Sequence, residues 1–258
     1  MNVDRYGRVN LTELEDLLDE HTLLVSIMHV NNELGTIQDI QKISKLCRDH
    51  NVLFHCDTVQ SFGKLQISLG KHGPDMITVS AHKFYGPKGI GFVCVRDDIH
   101  LEPIIFGGSE EYGIRSGTLN VPGIIGMWEA ARLIYEERDE VERHISRLTE
   151  KLINGLLSLG ARLNSPESPR YRVPGLVNVR FPGVDGRSLL LHLNKQGIAC
   201  SQGSACSSGS PRPSHVLRAI GLSDKDIQSS IRFSVGRFNN EEDVDYTISV
   251  LEDLLKHL

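Results

Sequence analysis

Residues 23–57 read LLVSIMHVNNELGTIQDIQKISKLCRDHNVLFHCD, and this stretch decides the fold class. An apolar run, LLVSIMHV, is closed by a polar corner containing a glycine, NNELGTIQD. Ile40, Ile43, Leu46 and Cys47 then recur at helical spacing, and a second short apolar run, VLFHCD, ends on an aspartate. A strand, an amphipathic helix and another strand in this order form the unit from which parallel sheets are built. Working outward, DMITVSA and GFVCVR read as two more strands. Upstream, Asn10 with Glu13 three residues later predicts a capped helix, with Leu11, Leu14, Leu17 and Leu18 on its apolar side. The expected class is α/β with a mostly parallel sheet.

From Pro122 to about Leu159 the pattern turns helical for nearly forty residues, too long for one ordinary globular helix, so a bent or broken connector is expected. Beyond it, LVNVRF, GIACSQG and IRFSVGR read as strands, with helices over DGRSLLLHLNKQ and EEDVDYTISVLEDLLKHL. The expected domains are therefore a large α/β part over 1–125, a helical connector over 126–160 and a smaller α+β domain over 161–258.

The chain has 258 residues, 40% hydrophobic and 24% charged, with a formal net charge of −5. That balance argues against nucleic acid or an anionic lipid surface as a direct partner. No apolar run reaches membrane-spanning length and MNVDRYGRVN does not read as a signal, so a cytoplasmic address is expected. Five cysteines, at 47, 56, 94, 200 and 206, lack the dense spacing of a secreted disulfide scaffold and read as reduced thiols. Cys47, Cys94 and Cys200 lie in apolar patterns and are expected to be buried and inert. A zinc site from Cys200, Cys206 and His215 fits no standard spacing, and no metal is expected.

In open α/β sheets ligands sit beyond the carboxyl ends of the strands. Asn31 and Asn32 follow the first apolar run, Asp57 and Gln60 the second, and Ser80, His82 and Lys83 the third. Each could be a turn, a cap or a solvated loop residue. Taken together, a lysine amine and a carboxylate on neighbouring strand ends suit a pyridoxal phosphate ring, since the amine can attack an aldehyde and the carboxylate can keep the ring nitrogen protonated.

MHVNNELGTIQDI, HCDTVQSFGK, SAHKFYGPKGIG, GIRSGTLN, GSACSSGSPRPSHVLRAIG and SSIRFSVGRF occur in one order across nearly the whole chain. Together they resemble the cysteine desulfurases of the class V aminotransferase group, in the nitrogen-fixation and iron–sulfur-cluster branch. The resemblance implies a fold type I pyridoxal phosphate enzyme, aminotransferase-like, with helices on both faces of its main sheet. By matching position, Lys83 would bond covalently to pyridoxal 5′-phosphate, Asp57 would face the pyridine nitrogen and Gln60 the phenolic oxygen. Asn32 would lie near ring and substrate, and Ser80 and His82 would bind the phosphate. Thr118 would reach a partner subunit's phosphate in a homodimer, and Arg232 would hold the substrate carboxylate.

Cys206, in the Ser- and Gly-rich CSQGSACSSGSPRPS, would be the nucleophile that takes sulfur from L-cysteine as a persulfide and leaves L-alanine. An iron–sulfur scaffold or another sulfur acceptor, including one serving tRNA thiolation, is the implied partner. Selenocysteine lyase shares the lysine and the fold and is the nearest alternative; a catalytically incomplete chain that binds a full-length partner is another. The resemblance also implies an N-terminal stretch, about a third of a relative's length, with a Gly-Thr-Glu phosphate loop and a stacking histidine. This sequence shows no counterpart of either, so weakened cofactor binding is expected.

Overall fold

The computed structural model describes residues 1–70, 72–203 and 213–257. In chain order its helices and strands are α1 (Leu11–Asp16), β1 (Leu24–Met28), α2 (Ile40–Asp49), β2 (Leu53–Asp57), β3 (Met76–Ser80), β4 (Gly91–Val95) and α3 (Val121–Glu136). They continue as α4 (Arg138–Ser158), β5 (Arg162–Leu163), β6 (Leu176–Arg180), α5 (Gly186–Lys195), α6 (His215–Ala219), α7 (Asp224–Gln228), β7 (Ser230–Ser234) and α8 (Glu241–Leu255). The contacts divide the chain into two compact units. One holds residues 18–29 and 39–137; the other holds 1–17, 30–38 and 138–258. The predicted connector is two helices, α3 and α4, parted at Glu137. The first ends one unit, and the second begins the longest segment of the other.

The unit of residues 18–29 and 39–137 is built on a sheet in the order β1-β2-β3-β4, with β1, β2 and β3 parallel and β4 antiparallel to β3. The central strands alternate: Phe54, Cys56, Ile77 and Val79 are buried, while His55, Asp57, Thr78 and Ser80 on the opposite face are half-buried. Helix α2 lies next to β2 and buries Ile40, Ile43 and Cys47, the positions that the helical spacing picks out. Asp75, just before β3, locks the strand starts. Its carboxylate accepts the Phe54 N–H at 2.8 Å and pairs with Arg96, whose own N–H donates to the Asp75 carbonyl. Gly91 is obligatory, because a Cβ there would lie 2.4 Å from the Val79 carbonyl oxygen across the ladder.

The unit of residues 1–17, 30–38 and 138–258 carries the antiparallel sheet β5-β6-β7. Leu148, Leu152 and Leu156 of α4 pack with Val177, Val179, Leu189, Leu193, Ile231, Phe233 and Leu251 in its main core. Full burial of each leucine there contributes about 2 kcal/mol before entropy is counted. A second, smaller core joins Leu34 to Leu217 and Ile227.

Two local expectations resolve differently. Asn10 does cap α1, accepting from the Thr12 and Glu13 N–H groups, but the capping box does not close: Glu13 accepts the Asn2 N–H at 2.9 Å instead. The reciprocal box occurs at Asn240 and Asp243, where α8 begins. GIACSQG is not a strand. Gly197, in the left-handed region at φ 76°, turns the chain out of α5, Ile198 N–H returns to the Leu193 carbonyl, and pairing is confined to a single bridge, Ser201 to Arg232.

Candidate active site

Within the sheet unit, the polar residues expected beyond the strand ends do gather at the ends of β2 and β3. Asp57 closes β2. One of its oxygens, Oδ1, accepts the Val59 N–H at 2.9 Å, and among the described residues no hydrogen bond reaches Oδ2. Thr58 donates both its N–H and its hydroxyl to the Thr78 carbonyl, at 3.0 and 2.9 Å, which pins the turn carrying the half-buried Gln60 against β3. Ser80 closes β3, and one 3-10 turn, Ala81–Lys83, follows. Buried Ala81 and Phe84 anchor that turn from within, Phe84 packing on Phe62 with ring centroids 4.9 Å apart. His82 and Lys83 are thereby left exposed at its outer rim. Thr118 is exposed as well, beyond the bridge from Ile105 to Arg115 and outside any helix or strand.

One residue of this region was given no role by the sequence reading. Lys64, half-buried four positions after Gln60, has its amine pushed down to about 8, first by burial and then by the positive charge of Lys83. Its signal was present in HCDTVQSFGK as a lysine following an apolar turn.

Asn32 and Arg232 belong to the other unit, where they meet each other. Arg232 lies on β7, opposite Asn178 of β6, and its guanidinium donates to the Asn32 carbonyl at 2.8 Å. The corner around Asn32 is rigid: the Asn31 side chain accepts the Glu33 and Leu34 N–H groups, both at 2.9 Å, and Asn178 donates to the Glu33 carbonyl at 3.1 Å. Ser201 exchanges backbone hydrogen bonds with Arg232, and Ser214 donates its hydroxyl to buried Glu33 at 2.6 Å. The described chain on either side of residues 204–212 is thus fastened to the Asn32 corner and to Arg232. Cys206 itself lies outside the described residues.

The remaining thiols separate by exposure. Burial pushes Cys47 and Cys200 up to about 11 and Cys56 up to about 12, which makes all three poor nucleophiles. Cys94 departs from expectation: it is exposed on β4, whose one strand neighbour among the described residues is β3 and whose own residues are all exposed or half-buried.

His29, just after β1, is 5% exposed; its N–H donates to the Asp57 carbonyl, and its ring Nδ1 has no hydrogen-bond partner. Burial pushes its pKa down to about 4. The unfolded chain takes up the proton near pH 6.5 and the folded one only near 4, so stability is full above pH 6.5 and is lost as the pH falls through this window, by about 3 kcal/mol in all. Urea denaturation of wild type and His29→Phe at pH 7.5 and 4.5 checks this. The variant should lose about 2.5 kcal/mol less than wild type between the two; equal losses would remove the attribution.

Comparison with known proteins matches residues 1–247 to the aminotransferase class-V family. The chain belongs to this family. Among curated class V relatives, the mitochondrial cysteine desulfurase of Saccharomyces cerevisiae is 48% identical over 261 residues, covering 100% of this chain and 52% of that protein. Cysteine desulfurase IscS of Mannheimia succiniciproducens is 48% identical, covering 98% of the chain and 62% of its own length. A solved NifS-like protein superposes with a TM-score of 0.91 at 40% identity, covering 100% of this chain and 67% of the other. The chain spans about half to two thirds of the length of these relatives.

Class V aminotransferases of this kind are pyridoxal phosphate proteins with the fold type I architecture, and the donor set of the sheet unit fits that cofactor. It combines an amine for an aldehyde, a carboxylate with an open oxygen for a ring N–H, an amide for a phenolic oxygen, and a hydroxyl with an imidazole for a phosphate. Among the described residues no helix is long and apolar enough to cross a membrane.

Proposed function

We propose that the chain carries the lysine-bearing and substrate-binding parts of a cysteine desulfurase that converts L-cysteine to L-alanine and passes the sulfur to Cys206. The observation that supports this most is the joint placement of Asp57, Ser80 and Lys83 at adjacent strand ends of a parallel sheet. Lys83 would hold pyridoxal phosphate, with Asp57, Gln60, Ser80 and His82 around it and Thr118 serving a second copy in a homodimer. When bound, the cofactor supplies an electron-accepting ring.

The protein's own residues do the rest. Arg232 binds the substrate carboxylate through its planar fork, beside Asn32. The Lys83 amine accepts the proton from the substrate Cα. The Cys206 thiolate attacks the substrate sulfur; the new S–S bond forms as the substrate C–S bond breaks, the electron pair stays with the carbon fragment, and reprotonation gives alanine. The persulfide sulfur then passes to an acceptor thiolate, on an iron–sulfur scaffold or in tRNA thiolation. A cytoplasmic address is part of this proposal, while the yeast relative carries a mitochondrial name.

The coverage of relatives and the bare apolar side chains Ile104, Phe106 and Trp128 favour a second reading, a chain that works only with a partner. Alanine release from L-cysteine by the purified chain with pyridoxal phosphate and dithiothreitol tests the first. Release from L-selenocysteine alone would mean a lyase. No release from either, with cofactor bound, would favour the partner-dependent reading.

A further inference from the structure

A hydrogen-bonded chain crosses three strands of the sheet directly beneath Asp57. Ser26 of β1 lies opposite His55 of β2, and its hydroxyl is 2.8 Å from Nδ1 of that ring. The other ring nitrogen, Nε2, is 3.2 Å from the hydroxyl of Thr78 on β3. Thr78 is the register partner of Asp57, and His55 precedes Asp57 by two residues on the same strand, so all four side chains share one face.

Counting protons leaves two directions for this chain, one for each ring nitrogen that can carry the proton. A neutral imidazole has one N–H and one lone pair, hydroxyls can both give and take, and an ionised carboxylate only accepts. If Ser26 donates to Nδ1, then Nε2–H donates to Thr78, and the Thr78 hydroxyl proton is not spent on the ring and is free to turn toward its register partner Asp57. We propose that His55 is a positioning residue for Asp57, acting through Thr78: the direction that starts at Ser26 leaves the Thr78 hydroxyl proton for the side of the carboxylate and so steadies Asp57 toward the cofactor ring. The part played toward the cofactor rests on the function proposed above; the coupling between His55 and Asp57 does not.

Long-range proton–nitrogen correlation spectra of the full, cofactor-free chain read this directly, with His55→Gln identifying the His55 signals. Wild type should hold the Nε2–H tautomer. Asp57→Asn should shift both ring nitrogens, and in a Thr78→Val background the same change should leave them still. An Nδ1–H tautomer, no response to Asp57→Asn, or the same response with valine at 78 would each overturn the proposal. Should Thr78→Val not fold, Ser26→Ala at its exposed position serves: it should move His55 away from the Nε2–H form, and no movement counts against the relay.

Titration with pyridoxal phosphate adds the second readout. His55→Phe should weaken binding about tenfold, the scale of one hydrogen bond to a charged group, and His55→Gln, which can both accept and donate, should recover most of it. Binding unaffected by His55→Phe would sink the role toward the cofactor and leave the desulfurase reading standing. Absence of binding in every variant, with the nitrogen coupling intact, would remove that reading and leave the relay.

Discussion

Lys83→Ala is expected to abolish covalent retention of pyridoxal phosphate. Wild type incubated with the cofactor and borohydride should carry the reduced adduct on the peptide containing Lys83, with the visible absorbance of bound cofactor before reduction. The variant should show neither, a loss of at least about a hundredfold if the lysine is the attacking group. The reason lies in how the turn is built. Ala81 and Phe84 hold the 3-10 turn from within, so the exposed amine is presented at the strand ends that also carry Asp57 and Ser80. Lys64 makes the experiment discriminating. Its amine, pushed down to about 8, is about half neutral at pH 8, so it is a chemically competent rival. Adduct on Lys64 in wild type would move the assignment; adduct on Lys64 only in Lys83→Ala would show a bystander amine. Lys64→Ala should leave the Lys83 adduct in place.

The sheet was legible because its central strands carry the alternation in full: Phe54 and Cys56 face one way, His55 and Asp57 the other. GIACSQG misled because its apolar residues pack on a core without belonging to a strand; Ile198 and Cys200 lie against the α4, β6 and α5 cluster while only Ser201 pairs. Cys94 misled for the opposite reason, since an apolar strand pattern does not reveal how many neighbours the strand has. The length of the helical pattern predicted a bend or break, but its periodicity runs on through Glu137 and so did not place the break between α3 and α4. At the site, strand-end residues could be read from local order alone. The Ser26, His55 and Thr78 chain could not, because it depends on register between residues 29 and 23 positions apart.

Cys206→Ser is expected to retain pyridoxal phosphate as wild type does and to lose transferred sulfur, by at least about a hundredfold in persulfide trapped after incubation with L-cysteine. The competing thiols set the background. A thiol pushed up to about 11 or 12 is a thiolate less than about one part in a thousand at pH 7.5, against about one in ten for an unperturbed cysteine, so Cys47, Cys56 and Cys200 cannot substitute at a comparable rate. Cys94, exposed on β4, is the control that burial does not eliminate. Cys94→Ser should leave the trapped sulfur unchanged. If sulfur instead survives in Cys206→Ser and disappears in Cys94→Ser, the nucleophile belongs to the sheet unit. If both variants keep it, sulfur leaves the substrate without capture by either thiol, and the desulfurase reading loses its transfer step.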